Sequence, residues 1–181
     1  RHRTLRRAAI ALAALALVPV AWFAWPAGVP DYAAVRDAWQ PSEAWLLDRH
    51  GVVLDQERLD LRVRRYQWVS LEEISPALVD AVIAGEDRRF RAHHGVDWRG
   101  VLAAARDTLL RHRRRGASTI TMQVAQLLPQ TRTTDGPGAW RKLRQVRAAL
   151  QLELRWSKEQ VLEAYLNLLG YRGELQGVGA A

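Results

Sequence analysis

From Ala8 to Gly28 the chain runs 21 residues without a charged side chain. That is long enough for a helix to cross a hydrocarbon core of about 30 Å. The flank before it, RHRTLRR, is basic, and Trp22 and Trp25 stand near its far end, where amphipathic rings favour the headgroup zone. The pattern predicts an uncleaved anchor with its N-terminus in the cytoplasm and everything after residue 30 outside. A cleaved signal peptide is the rival reading. Its apolar region would be shorter, and Trp22, Phe23 and Trp25 leave a poor small-residue cleavage site.

Residues 29–41, with prolines near both ends, read as a linker or short juxtamembrane helix. Between 45 and 69 apolar and polar positions alternate around Arg49-His50-Gly51, a hairpin-like signal. The spacing then changes to helical, with Ser75 and Pro76 as a start signal and Leu78, Ala81 and Val82 on one face. DWRGVLAAARDTLLRHRRR (97–115) is amphipathic, with Trp98, Val101, Leu102, Ala105 and Leu109 broadly on one side and a basic end. Two readings of it stay open: a helix packed on the core, or one lying on an anionic membrane surface. Further helices are predicted within 116–128, over 141–156 and over 157–171, the last opened by Ser157 and Gln160 at capping-box spacing. TRTTDGPG (131–138) is a loop by composition.

Charge narrows the partners. There are 27 Lys+Arg against 19 Asp+Glu, a net charge of +8, and only Lys142 and Lys158 are lysines. Arginine favours bidentate contacts to phosphate or carboxylate, so nucleic acid, anionic lipid and phosphorylated substrates all fit the balance. An exported domain argues against nucleic acid. There is no cysteine, which excludes disulfides, thiolate metal sites and a cysteine nucleophile.

The chemistry-bearing residues are weak signals one at a time. Glu86-Asp87 suits an exposed acidic pair, and His93-His94 lacks the spacing to a third metal ligand. Ser118, Thr119 and Thr121 suit a helix cap. Arg141-Lys142 suits a solvated helix start, although cations there oppose the helix dipole.

Taken in order, EDRRFRAHHGVD (86–97), GASTITMQ (116–123), the stretch from Arg141-Lys142 to Glu153, and SKEQVLEAYLN (157–167) followed by GVGAA form one pattern. The chain resembles the peptidoglycan glycosyltransferases, family 51, the membrane-proximal domain of bifunctional penicillin-binding proteins. GASTITMQVAQLL, RAALQLE and LQGVGAA look most like the penicillin-binding protein 1C branch. The resemblance implies a mainly α, lysozyme-like domain over 70–181, preceded by the anchor (1–28) and the linker with its hairpin-like segment (29–69). It implies polymerisation of lipid II on the outer face of the bacterial inner membrane, with release of undecaprenyl pyrophosphate. The partners would be lipid II, the growing glycan chain, membrane lipids and other cell-wall synthesis proteins.

By the same match Glu86 is the general base. Asp87, Arg88, Phe90, His93, Ser118, Thr119, Thr121, Gln123, Arg132, Arg141, Lys142, Gln145 and Glu153 fall on positions that bind substrate, with Arg132, Arg141 and Lys142 near the phosphates. Two departures stand out. The family's usual second glutamate in the third motif is Gln145 here, and its usual Lys-Asn after the second motif is Gln126-Leu127. A pyrophosphate leaving group needs little protonation, so loss of that acid is tolerable. It removes a Mg²⁺ ligand and leaves the metal an open question. The family pattern also runs on past Ala181, so the domain is expected to be incomplete at its C-terminus. No S-x-x-K or K-T-G of a transpeptidase occurs. The departures keep a non-catalytic, lipid II-binding scaffold as an alternative, and a basic membrane-surface domain of another fold as a third.

The topology carries its own test. A reporter fused after Ala181 is expected to be active only outside the cytoplasm; cytoplasmic activity would overturn the anchor.

Overall fold

The computed structural model describes residues 21–111, 116 and 118–181. Most of the apolar stretch read as an anchor, and the basic run 112–115, lie outside these residues. Among the described residues no helix is long and apolar enough to cross a membrane.

The order of elements is α1 (Tyr32–Asp37), β1 (Glu43–Leu47), β2 (Val53–Arg58), α2 (Pro76–Glu86), α3 (Trp98–Arg111), α4 (Ile120–Leu127), α5 (Gly138–Glu153) and α6 (Lys158–Leu168). Short 3-10 turns occupy Leu71–Glu73 and Phe90–Ala92. The described residues are thus mainly helical with one two-stranded antiparallel sheet, as the periodicities predict. In the hairpin Glu43 pairs with Arg58 and Leu47 with Val53. Its turn is closed by Asp48, whose Oδ1 accepts the N–H groups of His50 and Val52 at 2.8 Å. The alternation there does not produce a buried face. Trp45, Leu46, Leu47, Val53 and Leu54 are all exposed, because among the described residues no second layer covers these two strands.

Local rules account for the helix ends. Ser157 Oγ accepts the Gln160 N–H at 3.2 Å and Gln160 Oε1 accepts the Ser157 N–H at 2.9 Å, the expected capping box. Helix α5 begins at Gly138, three residues before the expected start, so Arg141 and Lys142 follow its first three residues. The buried side of α2 also differs from expectation. Val79 is buried and Val82 and Ile83 pack on the core, whereas Leu78 is 39% exposed.

Helix α4 is the centre of the body. Ile120, Thr121, Met122, Val124 and Ala125 are all fully buried, and Ile120 and Val124 share a core with Phe90, Leu152, Trp156, Val161, Leu162 and Leu166. Helix α3 stands in contrast. Its expected apolar side is turned outward, with Leu102, Leu109 and Leu110 more than 70% exposed and Trp98 exposed as well. The core-packed reading of α3 is therefore corrected: among its described side chains only Ala104 is buried, and Val101 borders the small cluster of Val96, Met122 and Ala149.

Side chains on α5 and just past its end hold the N-terminal segment against the body. Arg147 donates to the Trp25 and Pro26 carbonyls at 2.5 and 3.0 Å, and Gln151 Oε1 accepts the Ala27 N–H at 2.5 Å. Arg155 reaches the Val29 carbonyl at 2.8 Å and Trp156 the Pro30 carbonyl at 3.0 Å. A second tie is Glu163 on α6, which accepts the Tyr32 hydroxyl, Trp68 Nε1–H at 2.6 Å and the Leu71 N–H at 2.8 Å.

Burial alone would raise the Glu163 carboxyl. The three donors outweigh it and hold the group below its ordinary value of 4.5. A depressed carboxylate pKa adds stability that is present above the unfolded pKa and is lost as pH falls through the folded one. Glu163→Gln should therefore unfold more readily near neutral pH by about 1.5–3 kcal/mol. Its deficit in thermal unfolding should shrink as pH drops below 4.5. A deficit independent of pH would show that the charge plays no part.

Candidate active site

Four segments meet around the end of α2. The helix delivers Glu86 and stops at Asp87, whose backbone leaves the helical region. Asp87 is 7% exposed, and its carboxylate is used inside the protein. Its two oxygens accept His93 Nε2–H at 3.1 and 3.0 Å, and Oδ2 accepts the Ile120 N–H, in the first turn of α4, at 3.1 Å. An anion at that end also suits the dipole of α4. Thr119 caps the same helix by accepting the Met122 N–H at 3.1 Å, and donates its own hydroxyl to the Gly95 carbonyl at 2.6 Å. Gly95 has φ +81°, and a Cβ there would sit 2.6 Å from the Ala149 carbonyl oxygen. Only glycine permits this close return of the loop onto α5.

Glu153 lies deeper. It accepts the Thr121 hydroxyl at 2.5 Å and pairs with Lys158 at 2.7 Å, its side chain 4% exposed. The Lys158 ammonium also lies 4.4 Å from the centroid of the buried Phe90 ring. Asp87, Phe90, His93, Thr119, Thr121 and Glu153 were all expected to touch substrate. The structure turns each of them inward, where they bind one element to another; Asp87 and Thr119 border the cleft from beneath.

Above them is a cleft of about 440 Å³ lined by Glu86, Arg88, Arg89, Asp97, Arg99 and Ser118 among others. Asp97 is held by Arg89 and by the Gly100 N–H at 3.0 Å. Burial works to raise its pKa, but these donors keep it below the ordinary value. Glu86 differs. It is exposed, and its Oε2 accepts the Gln123 Nε2–H at 2.9 Å. Among the described residues it is the lining carboxylate paired to neither an arginine nor a histidine.

On α5, Lys142 Nζ donates to Ser118 Oγ at 2.8 Å and to Gln145 Oε1 at 3.1 Å. Partial burial of the ammonium pulls its pKa below the ordinary value. The other end of the Gln145 amide donates to the Met122 carbonyl at 2.8 Å. Both ends are thus engaged, and a divalent ion at position 145 would meet an ammonium. Among the described residues no three His, Cys, Asp or Glu side chains converge as metal ligands either. The residues present do not fit such an ion here. Arg141 is exposed beside Lys142. Arg132 is not brought to this cleft: it lines a separate recess with Arg144, Arg147 and residues 25–27.

The sequence reading missed Lys158, Arg89 and Tyr165, whose hydroxyl donates to Gln123 Oε1 at 3.3 Å. A signal existed for Lys158. In a chain whose cations are otherwise arginine, the two lysines mark places where a compact ammonium is needed.

Glu153 and Glu86 are separable by experiment. Glu153→Gln should destabilise the protein by about 3 kcal/mol, because it strands a half-buried Lys158. Its activity should then follow the folded fraction. Glu86→Gln should leave the melting temperature unchanged. Full stability of Glu153→Gln would overturn the assignment.

Residues 51–181 match the transglycosylase family. A biosynthetic peptidoglycan transglycosylase of Pasteurella multocida is 38% identical over 141 residues, covering 78% of this chain and 56% of that protein. A biosynthetic peptidoglycan transglycosylase of Rhodospirillum centenum is 38% identical over 181 residues, covering 99% of this chain and 69% of that protein. Penicillin-binding protein 1C of Escherichia coli is 40% identical over 158 residues, 80% of this chain but 20% of that protein. The chain thus spans little more than half the length of the Pasteurella relative and a fifth of the Escherichia one. With the family match extending over most of its residues, from the hairpin turn through the cleft to Ala181, the chain belongs to the transglycosylase family.

Proposed function

We propose that this chain carries a peptidoglycan glycosyltransferase site, lysozyme-like in arrangement, that polymerises lipid II with inversion and release of undecaprenyl pyrophosphate. The observation that carries this reading is the sorting of the acids. Asp97 and Glu153 are each held by a cation and another donor, and Asp87 by the His93 ring and the Ile120 N–H. Glu86 keeps an oxygen open to the cleft. A sugar hydroxyl is a poor nucleophile until a positioned carboxylate begins to remove its proton, and Glu86 is the group able to do so. Attack by the acceptor 4-hydroxyl from the face opposite the leaving group inverts the anomeric centre.

The leaving pyrophosphate is anionic and gains charge as the bond breaks, so cations rather than an acid must meet it. Lys142, oriented by Ser118 and Gln145, and the exposed Arg141 serve that need, while Arg88 and Arg99 line the same cleft as Glu86. This step uses no carboxylate at position 145. The names of the Pasteurella and Rhodospirillum relatives, both biosynthetic peptidoglycan transglycosylases, agree with the substrate class.

A membrane-borne substrate requires the cleft to sit at the bilayer. The exposed apolar side of α3 and the N-terminal segment held against α5 support attachment to the outer face of the inner membrane, with membrane lipids as partners. Residues 70–181 form the glycosyltransferase portion on this reading.

The test is lipid II polymerisation by the full-length protein. Glu86→Gln should lower turnover about 10²-fold or more with little change in KM. Lys142→Ala should cost roughly ten- to a hundredfold. Near-normal turnover of Glu86→Gln would move the base elsewhere. A wild type inert towards lipid II that still binds it would favour the scaffold.

A further inference from the structure

Three elements converge on the Glu86 carboxylate from behind. Glu86 ends α2, Gln123 projects from α4, and Tyr165 from α6 lies beneath both, 3% exposed. The Tyr165 hydroxyl donates to Gln123 Oε1 at 3.3 Å, and Gln123 Nε2–H donates to Glu86 Oε2 at 2.9 Å. We propose that Tyr165 is a positioning residue for Glu86 that acts through the side-chain amide of Gln123. The proposal rests on reading Glu86 as the base.

A primary amide has two ends of nearly the same shape and opposite polarity. Left to itself, the Gln123 amide could turn either end to the carboxylate. With its oxygen forward it would repel Glu86; with its nitrogen forward it holds one carboxylate oxygen and leaves the other open to the cleft. The carboxylate only accepts and so draws the nitrogen forward, and the Tyr165 hydroxyl holds that choice by donating to the amide oxygen behind it. The choice also requires the phenol to keep its proton. Burial first, and the negative charge of Glu86 second, push the Tyr165 pKa up to about 12, so the O–H stays a donor throughout the neutral range. The carboxylate is thereby fixed in rotation about its own axis, and small misplacements of a reacting group lower rates steeply. Among the described residues the hydrogen-bonded route from Tyr165 to Glu86 runs through Gln123.

The experiment is a double-mutant cycle on the full-length protein, read as lipid II polymerisation with kcat and KM separated, alongside thermal unfolding. Glu86→Gln serves as the reference. Tyr165→Phe keeps the buried ring and removes the donor. It should lower kcat about tenfold, with KM within about twofold and an unchanged melting temperature. Gln123→Leu should lower kcat at least as much, and adding Tyr165→Phe to it should cost nothing further. A normal kcat for Tyr165→Phe, or losses that multiply in the double variant, would overturn the inference while Glu86→Gln remains inactive. A fall in melting temperature that accounts for the lost rate would reduce Tyr165 to packing and also overturn it. If Glu86→Gln itself turns over normally, the reading of the base fails and the role of Tyr165 goes with it.

Discussion

Asp87 is a buried carboxylate, and a buried charge persists only where donors surround it. His93 and the first turn of α4 supply those donors. The constraint reaches beyond the pair. Because Asp87 is anchored to α4, helix α2 must end where it does, and Glu86, one residue earlier, is set at the rim of the cleft. The loop that follows must then fold back far enough for His93 to return to Asp87 and for Gly95 to slip beneath α5.

Similar logic organises the remaining charges. Lys158 neutralises Glu153 and covers the Phe90 ring, so the first, third and fourth motifs share one ammonium. Gln145 links α5 to the Met122 carbonyl while orienting Lys142, two tasks that need a donor and an acceptor on one side chain. A carboxylate there has no hydrogen to offer Met122. The amide thus adds a hydrogen bond between α5 and α4. Fixed groups of this kind need little rearrangement as charge develops, which is where preorganised sites gain their rate.

Much of this architecture is legible in the sequence because its signals are local. The capping box at Ser157, the Ser75-Pro76 start of α2 and the turn at His50-Gly51 each depend on residues within a few positions of one another. The family motifs marked the segments that meet at the cleft. What the sequence does not carry is direction. The apolar side of α3 has the same spacing whether it faces protein or something else, and it faces outward. Asp87, Phe90, His93 and Glu153 belong to the motifs, yet motif membership does not tell an inward side chain from one at the surface. Arg132 follows the second motif closely in sequence, but the turn after α4 carries it to another recess. Tyr165 reads as one more core residue on an amphipathic helix, and only the meeting of three helices reveals its polar end.

Glu163 gathers groups that lie 92 to 131 residues earlier in the chain. Ribosomes make the chain from the N-terminus, at about 5–20 residues per second. For several seconds, then, the Tyr32 hydroxyl, the Trp68 indole and the Leu71 amide exist without the acceptor that will join them. The segment from residue 23 to 71 cannot settle until α5 and α6 have emerged, and contacts of such long sequence separation form slowly. The exposed tryptophans and leucines of that segment are the part of the nascent protein most in need of shelter, and its completion waits on Gln151, Arg155 and Glu163, all made long after it.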